Sequence, residues 1–195
     1  MTEEQKRKAK EVQKATKDLV LALQILREDM RFAEQQLNQH KATHEQTCRR
    51  TLTRCACAFV EGTLSFMKAA TLPAANFFDI NLSENEIEFA TGREIKTGKL
   101  IAFLPFQENL KETFKVFMKA HGVSIEIKYD EPRFKDLQEM FKLRNKLMHP
   151  KTLSDVGVSD EALNVLIRGF NWFDSQGVKI MAEGKTKQQS TLTSL

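Results

Sequence analysis

An all-α fold, an antiparallel helical bundle carrying one small insert, is what three features of the sequence predict. The first 70 residues contain no Pro and a single Gly, Gly62. Apolar residues recur there at spacings of four and three, the period of a helix face rather than of a strand. The whole chain holds only 8 Gly and 4 Pro in 195 residues, too few turn formers for an all-β fold. Hydrophobic residues at 41% and charged residues at 29% exclude a wholly disordered chain.

The first helix shows a seam of Val12, Thr16, Leu19, Leu23, Leu26, Met30, Ala33 and Leu37. Leu21, Ile25 and Phe32 lie off it and widen the apolar face, which suits a bundle better than a two-stranded coil. A second seam, out of phase with the first, runs through Cys48, Leu52, Cys55, Phe59, Gly62 and Phe66. The phase change predicts a break near 38–43, so that two long helices fold back as a hairpin. Residues 71–105 are punctuated by Pro73, Asn76, Asn81, Ser83, Gly92, Gly98 and Pro105. They read as an irregular or β-hairpin insert, with Ile87 and Phe89 on one strand and Leu100, Ile101 and Phe103 on the other.

A helix follows from Phe106 to Ala120, ended by His121-Gly122. Val123, Ile125, Ile127 and Tyr129 alternate as in a short strand or extended segment. Pro132 fits the first turn of the next helix. Its apolar stripe is Phe134, Leu137, Met140, Phe141, Leu147 and Met148, and Pro150 stops it at His149. Ser159 is an N-cap for a last helix that packs through Leu163, Leu166, Ile167, Phe170 and Phe173. Residues 1–182 thus form a single helical domain, and the polar residues 183–195 a flexible tail.

Function classes narrow in the same way. No apolar run approaches the roughly 18–20 residues that span a membrane. The opening MTEEQKRKAKEVQK has no apolar core of a signal peptide. Three Cys do not build a disulfide framework, so a cytoplasmic chain with reduced thiols is expected. A net charge of +4 is mildly basic and compatible with a nucleic-acid partner.

The segment KLRNKLMHP, residues 142–150, carries the chemistry. Asn145 and His149 are four apart and share a helix face; Arg144 lies one position round. Arg144 also falls within an apolar stripe, where a guanidinium needs a partner, a ligand or another chain. An imidazole titrates near neutral pH and suits proton transfer, and a guanidinium suits a phosphate. Together they fit RNA cleavage by the 2′-hydroxyl, which requires no metal. One His149 does not easily perform both proton transfers, whereas two copies across a dimer axis do. Lys142, Lys146 and Lys151 flank the motif as a candidate phosphate track. Glu61, the only acidic residue between Glu45 and Asp79, lies in an otherwise apolar helix and is expected to form a buried pair with Arg144, either as pure structure or as an active-site orienter.

The motif resembles the Arg-polar-x(3–5)-His signature of the HEPN superfamily, with a specific match over 134–150 and a similar order of elements. The resemblance implies a helical bundle, often dimeric, and a metal-independent endoribonuclease of toxin–antitoxin or antiviral-defence type. It also implies Arg144, Asn145 and His149 as active-site residues, and restraint by an antitoxin or defence-complex partner. In the HepT toxin branch a Tyr lies two positions after the His; here that position is Lys151. A non-catalytic helical dimerisation module is the alternative, resting on the two seams.

Other clusters are blander. His40, His44 and Cys48 share a helix face, but Lys41 stands where a zincin has its Glu and no fourth ligand is evident, so neither metal nor cofactor is expected. Arg49, Arg50 and Arg54 read as a solvated face or an RNA-backbone track.

Overall fold

The computed structural model describes residues 2–101 and 104–193. Among them are six α-helices: α1 Glu3–Gln39, α2 Glu45–Phe78, α3 Glu84–Thr91, α4 Phe106–Ala120, α5 Pro132–Met148 and α6 Asp160–Thr193, with a 3-10 turn at Leu153–Val156 before α6. The protein is all-α. No described helix is long and apolar enough to cross a membrane.

The chain divides into two compact units, one of Met1–Ala22, Thr63–Glu126 and Val178–Leu195, the other of Leu23–Gly62 and Ile127–Gly177. Each of α1, α2 and α6 contributes one stretch to each unit.

In the first unit, Val12 of α1 joins Ala74 and Ala75 of α2, Leu82, Phe89 of α3, and Val116 and Ala120 of α4 in one buried cluster. The helix α2 enters this unit well past the point where the sequence suggests an insert. Pro73 lies inside it and forfeits one backbone donor. The helix ends instead at Asp79, which adopts the left-handed conformation (φ 57°), while the Ile80 N–H donates back to the Ala75 carbonyl. This is a Schellman-type stop with Asp in the place Gly usually takes.

The β-hairpin reading of 71–105 is corrected. Ile87 and Phe89 belong to α3, because Ser83 and Glu86 close a reciprocal capping box that nucleates a helix there. Gly92, at φ 68°, terminates it. Among the described residues, antiparallel pairing is confined to one bridge between Arg93 and Leu100. Phe103 lies outside the described residues. Residues 123–128 form neither strand nor helix, which leaves the extended-segment alternative.

The tail is corrected as well: α6 continues to Thr193. A polar sequence remains helical there because it packs. Gly184 is buried beside His121, and buried Gln188 accepts a hydrogen bond from the Thr16 hydroxyl at 3.2 Å.

In the second unit, α1 lies against α2 through Leu26, whose side chain occupies the space left by Gly62, and through Arg27, whose guanidinium sits 5.4 Å from the Phe59 ring centroid. Phe59 meets Phe170 and Phe173 of α6 edge-on, at 5.2 and 6.4 Å. Helices α5 and α6 touch backbone to backbone: a Cβ on Gly169 would stand 2.5 Å from the Leu137 nitrogen. This contact fixes α5, the helix that bears Arg144. The seams hold as buried faces, with Val12, Leu19, Met30, Ala33, Cys48, Leu52 and Phe59 all inside. Leu21, Ile25 and Phe32 instead face outward, as do Phe66 of the second seam and Met148 and Ile167, expected in packing stripes.

Candidate functional site

Helix α5 delivers the motif because its inner face is fully committed. Phe134, Leu137, Met140, Phe141 and Leu147 are buried, which turns Arg144 toward α2 and leaves Asn145 and His149 at the surface. The Arg144 guanidinium donates from Nη1 to Asn145 Oδ1 at 3.2 Å, and its Nη2 lies 3.5 Å from Glu61 Oε2. Both partners of this pair remain open, their side chains 31% and 48% exposed. The carboxylate and the guanidinium are thus in place without being sealed by each other.

Beneath the pair lies Cys57 of α2, whose thiol points at the Met140 carbonyl, 4.0 Å away. Burial first, and the Glu61 charge second, push this thiol up to about 12, so it is an inert floor rather than a nucleophile.

His149 is the C-cap of α5, with φ −133° and ψ 60°, and its N–H donates to the Asn145 carbonyl at 3.0 Å. Pro150 accounts for this stop. The imidazole is exposed and has no hydrogen-bond or ion-pair partner among the described residues. The chain beyond it is pinned by Asp155, whose carboxylate accepts the N–H groups of Lys151 at 3.0 Å and Thr152 at 2.9 Å. Those bonds, the Lys151 N–H foremost, hold the Asp155 carboxyl below the usual carboxylate range. The Thr152-x-x-Asp155 capping pattern was a signal in the sequence that points to this anchor.

Of the residues singled out from the sequence, Arg144, Asn145 and Glu61 therefore come together, and His149 lies one turn beyond Asn145. The lysines do not join them. Lys142 and Lys146 are each two residues from Arg144, hence about 160° round the helix. They line a groove between α5 and α6 with Leu143, Ser159 and Ala162, and Lys142 is paired with Glu139 at 2.7 Å. Lys151 is exposed on the connecting turn.

Arg49 departs from the solvated face expected of it. It is 6% exposed and donates to the Val158 carbonyl at 2.8 Å, to Glu45 at 2.6 Å and to Asp160, clamping the start of α6 to the start of α2. Around His40 and His44, as elsewhere among the described residues, no three His, Cys, Asp or Glu side chains gather to hold a metal ion.

Fold and site define a helical protein with an open Arg/Asn/Glu cluster at a helix end. The chain matches no family model, and no curated protein or solved structure shows a significant likeness to it.

Proposed function

We propose that the protein is a metal-independent endoribonuclease of the HEPN type that works as a homodimer on RNA. The observation that carries this reading is the open Arg144–Glu61–Asn145 cluster one helical turn before an exposed His149 that has no partner among the described residues. Glu61 and Asn145 orient the guanidinium, and its remaining donors receive a phosphate. The RNA 2′-oxygen loses its proton to one His149 and attacks the adjacent phosphorus. The P–O5′ bond breaks as the second copy's imidazole protonates the 5′-oxygen. The products are a 2′,3′-cyclic phosphate and a 5′-hydroxyl, and Arg144 stabilises the phosphorane charge between them. Lys146 and Lys142 guide the strand only where it wraps round to the α5–α6 groove. Restraint by an antitoxin or defence-complex partner belongs to the same reading.

Incubation of the purified chain with RNA in EDTA tests it. Cleavage with cyclic-phosphate ends, lost in Arg144→Ala and in His149→Ala, supports the reading; cleavage indifferent to both substitutions overturns it.

A second reading, a non-catalytic interaction module, is favoured by Ile25 and Phe32, apolar side chains on α1 that are 60% and 61% exposed. The module's contact does not run through Leu19, which is buried in the chain's own core. It predicts no nuclease activity, and self-association abolished by Ile25→Glu/Phe32→Glu.

A further inference from the structure

The nuclease reading makes no use of the buried imidazole of His121. His121, 5% exposed, closes α4 in the first unit. Its ring stacks on Phe117 at 3.9 Å, and Nδ1 lies 2.9 Å from the Phe117 carbonyl oxygen. A carbonyl only accepts, so Nδ1 carries the proton and Nε2 of the neutral ring is an acceptor. Burial lowers the pKa of the ring and keeps it neutral near pH 7. Nε2 has no partner among the described residues, yet it is not among the polar atoms sealed inside the protein. The ring edge opens onto a cavity of about 190 Å³.

The cavity is walled mainly by Leu19, Val20, Ala70 and Phe117. Gly184 lies against the ring, where a Cβ would meet His121 Cδ2 in ordinary contact at 3.6 Å. Gln188, 7% exposed, closes one side. Its Oε1 accepts from the Thr16 hydroxyl, which leaves the carboxamide N–H2 as a donor without a partner among the described residues. Lys185 is the only charged residue lining the cavity among those described. Beside the Lys185 ammonium and the Thr16 hydroxyl, the site thus offers one unpartnered acceptor and one unpartnered donor in apolar walls. A hydroxyl on an apolar ring satisfies both at once. An apolar cavity of about 150 Å³ holds benzene, so this volume admits one ring with a small substituent.

We propose that this cavity binds a monocyclic phenol, its ring among the apolar walls and its hydroxyl donating to His121 Nε2 while accepting from the Gln188 amide. Toluene fills the space but leaves both polar groups unsatisfied. The proposal is independent of the nuclease reading.

The test is a titration of the ¹⁵N-labelled full chain with p-cresol, followed by heteronuclear NMR. Saturable shifts of the Gly184 and Gln188 resonances are expected, with toluene about tenfold weaker. Ala70→Leu fills the cavity and abolishes binding. Should that variant misfold, Gln188→Met preserves volume and reduces the preference for p-cresol over toluene severalfold. The proposal is overturned by unshifted Gly184 and Gln188 resonances at saturating p-cresol, by toluene binding as well as p-cresol, or by an unchanged preference in Gln188→Met.

Discussion

Arg49 and Arg144 belong to the same unit and are built for opposite ends. Arg49 is buried, and its guanidinium is divided among a backbone carbonyl and two carboxylates. The hydrogen bond to Asp160, then that to Glu45, raises its pKa above the ordinary arginine value. Only Nε remains unpartnered. Arg144 is one-third exposed, with one neighbour at 3.2 Å and one at 3.5 Å. A guanidinium has five donors in a fixed fork. Where internal acceptors occupy the fork it is a clamp; where they only steady it, its remaining donors stay open. The difference is not in residue type but in how much of the fork the fold consumes.

The largest expected effect breaks that comparison if it fails. If the proposed endoribonuclease reading holds, Arg144→Ala lowers RNA cleavage by about 10²–10³-fold and His149→Ala by about 10²–10⁴-fold, each with a Tm near that of the parent. Arg49→Ala behaves conversely: folded protein keeps its cleavage rate while Tm drops. Rates measured at matched folded fractions decide this, and an inactive but fully stable Arg49→Ala erases the distinction between the two arginines.

Next in size is the support of α5. Gly169→Ala places a Cβ 2.5–2.7 Å from backbone atoms of Asp136 and Leu137, which do not yield as a side chain does. A loss of about 3 kcal/mol, the upper range for overpacking, is expected by urea denaturation. Gly62→Ala is the control. Its Cβ meets only the Leu26 terminal methyl at 2.7 Å, which rotates aside, and the gain in helix propensity offsets about 1 kcal/mol. Equal losses in the two variants mean that the α5–α6 contact is not what positions Arg144.

The arginines themselves rank below this. Arg49→Ala removes a partner of the buried Val158 carbonyl and costs about 2 kcal/mol, whereas Glu61→Gln, across a half-exposed pair, costs under about 1 kcal/mol. Glu61→Gln nonetheless reduces cleavage about tenfold if the carboxylate orients the guanidinium, a loss typical of a supporting partner.

The helices and the Arg144–Asn145–Glu61 grouping were legible because they follow local rules: heptad spacing, Pro150 as a stop, and one acidic residue in an apolar stretch. What was illegible has two sources. Short-range capping outweighed an alternating pattern at Ile87 and Phe89, although Ser83-x-x-Glu86 announces it. Long-range packing decided the rest. No local rule separates Arg49 from Arg50, since the acceptors of Arg49 at Val158 and Asp160 lie more than a hundred residues away. Nor does composition reveal that α6 continues past Met181, because its support is Thr16 and His121. The lysines beside the motif show the limit of proximity in sequence: two residues along a helix is most of the way to its opposite side.

The smallest effect extends the comparison to the imidazoles. His121 is enclosed and His149 is open. Burial, outweighing the bond to the Phe117 carbonyl, lowers the folded-state pKa of His121 below its ordinary 6.5. Above that value the ring is neutral in both folded and unfolded chains, and it contributes no pH dependence. As pH falls through it, the unfolded chain takes up a proton that the folded chain refuses, so stability declines until the folded-state pKa is passed. Thermal scans from pH 7.5 to 5 therefore show a falling Tm that His121→Gln flattens. His149→Gln leaves the decline in place, since the enclosed ring that causes it is still present. A slope that survives His121→Gln shows that the enclosed ring is not its source.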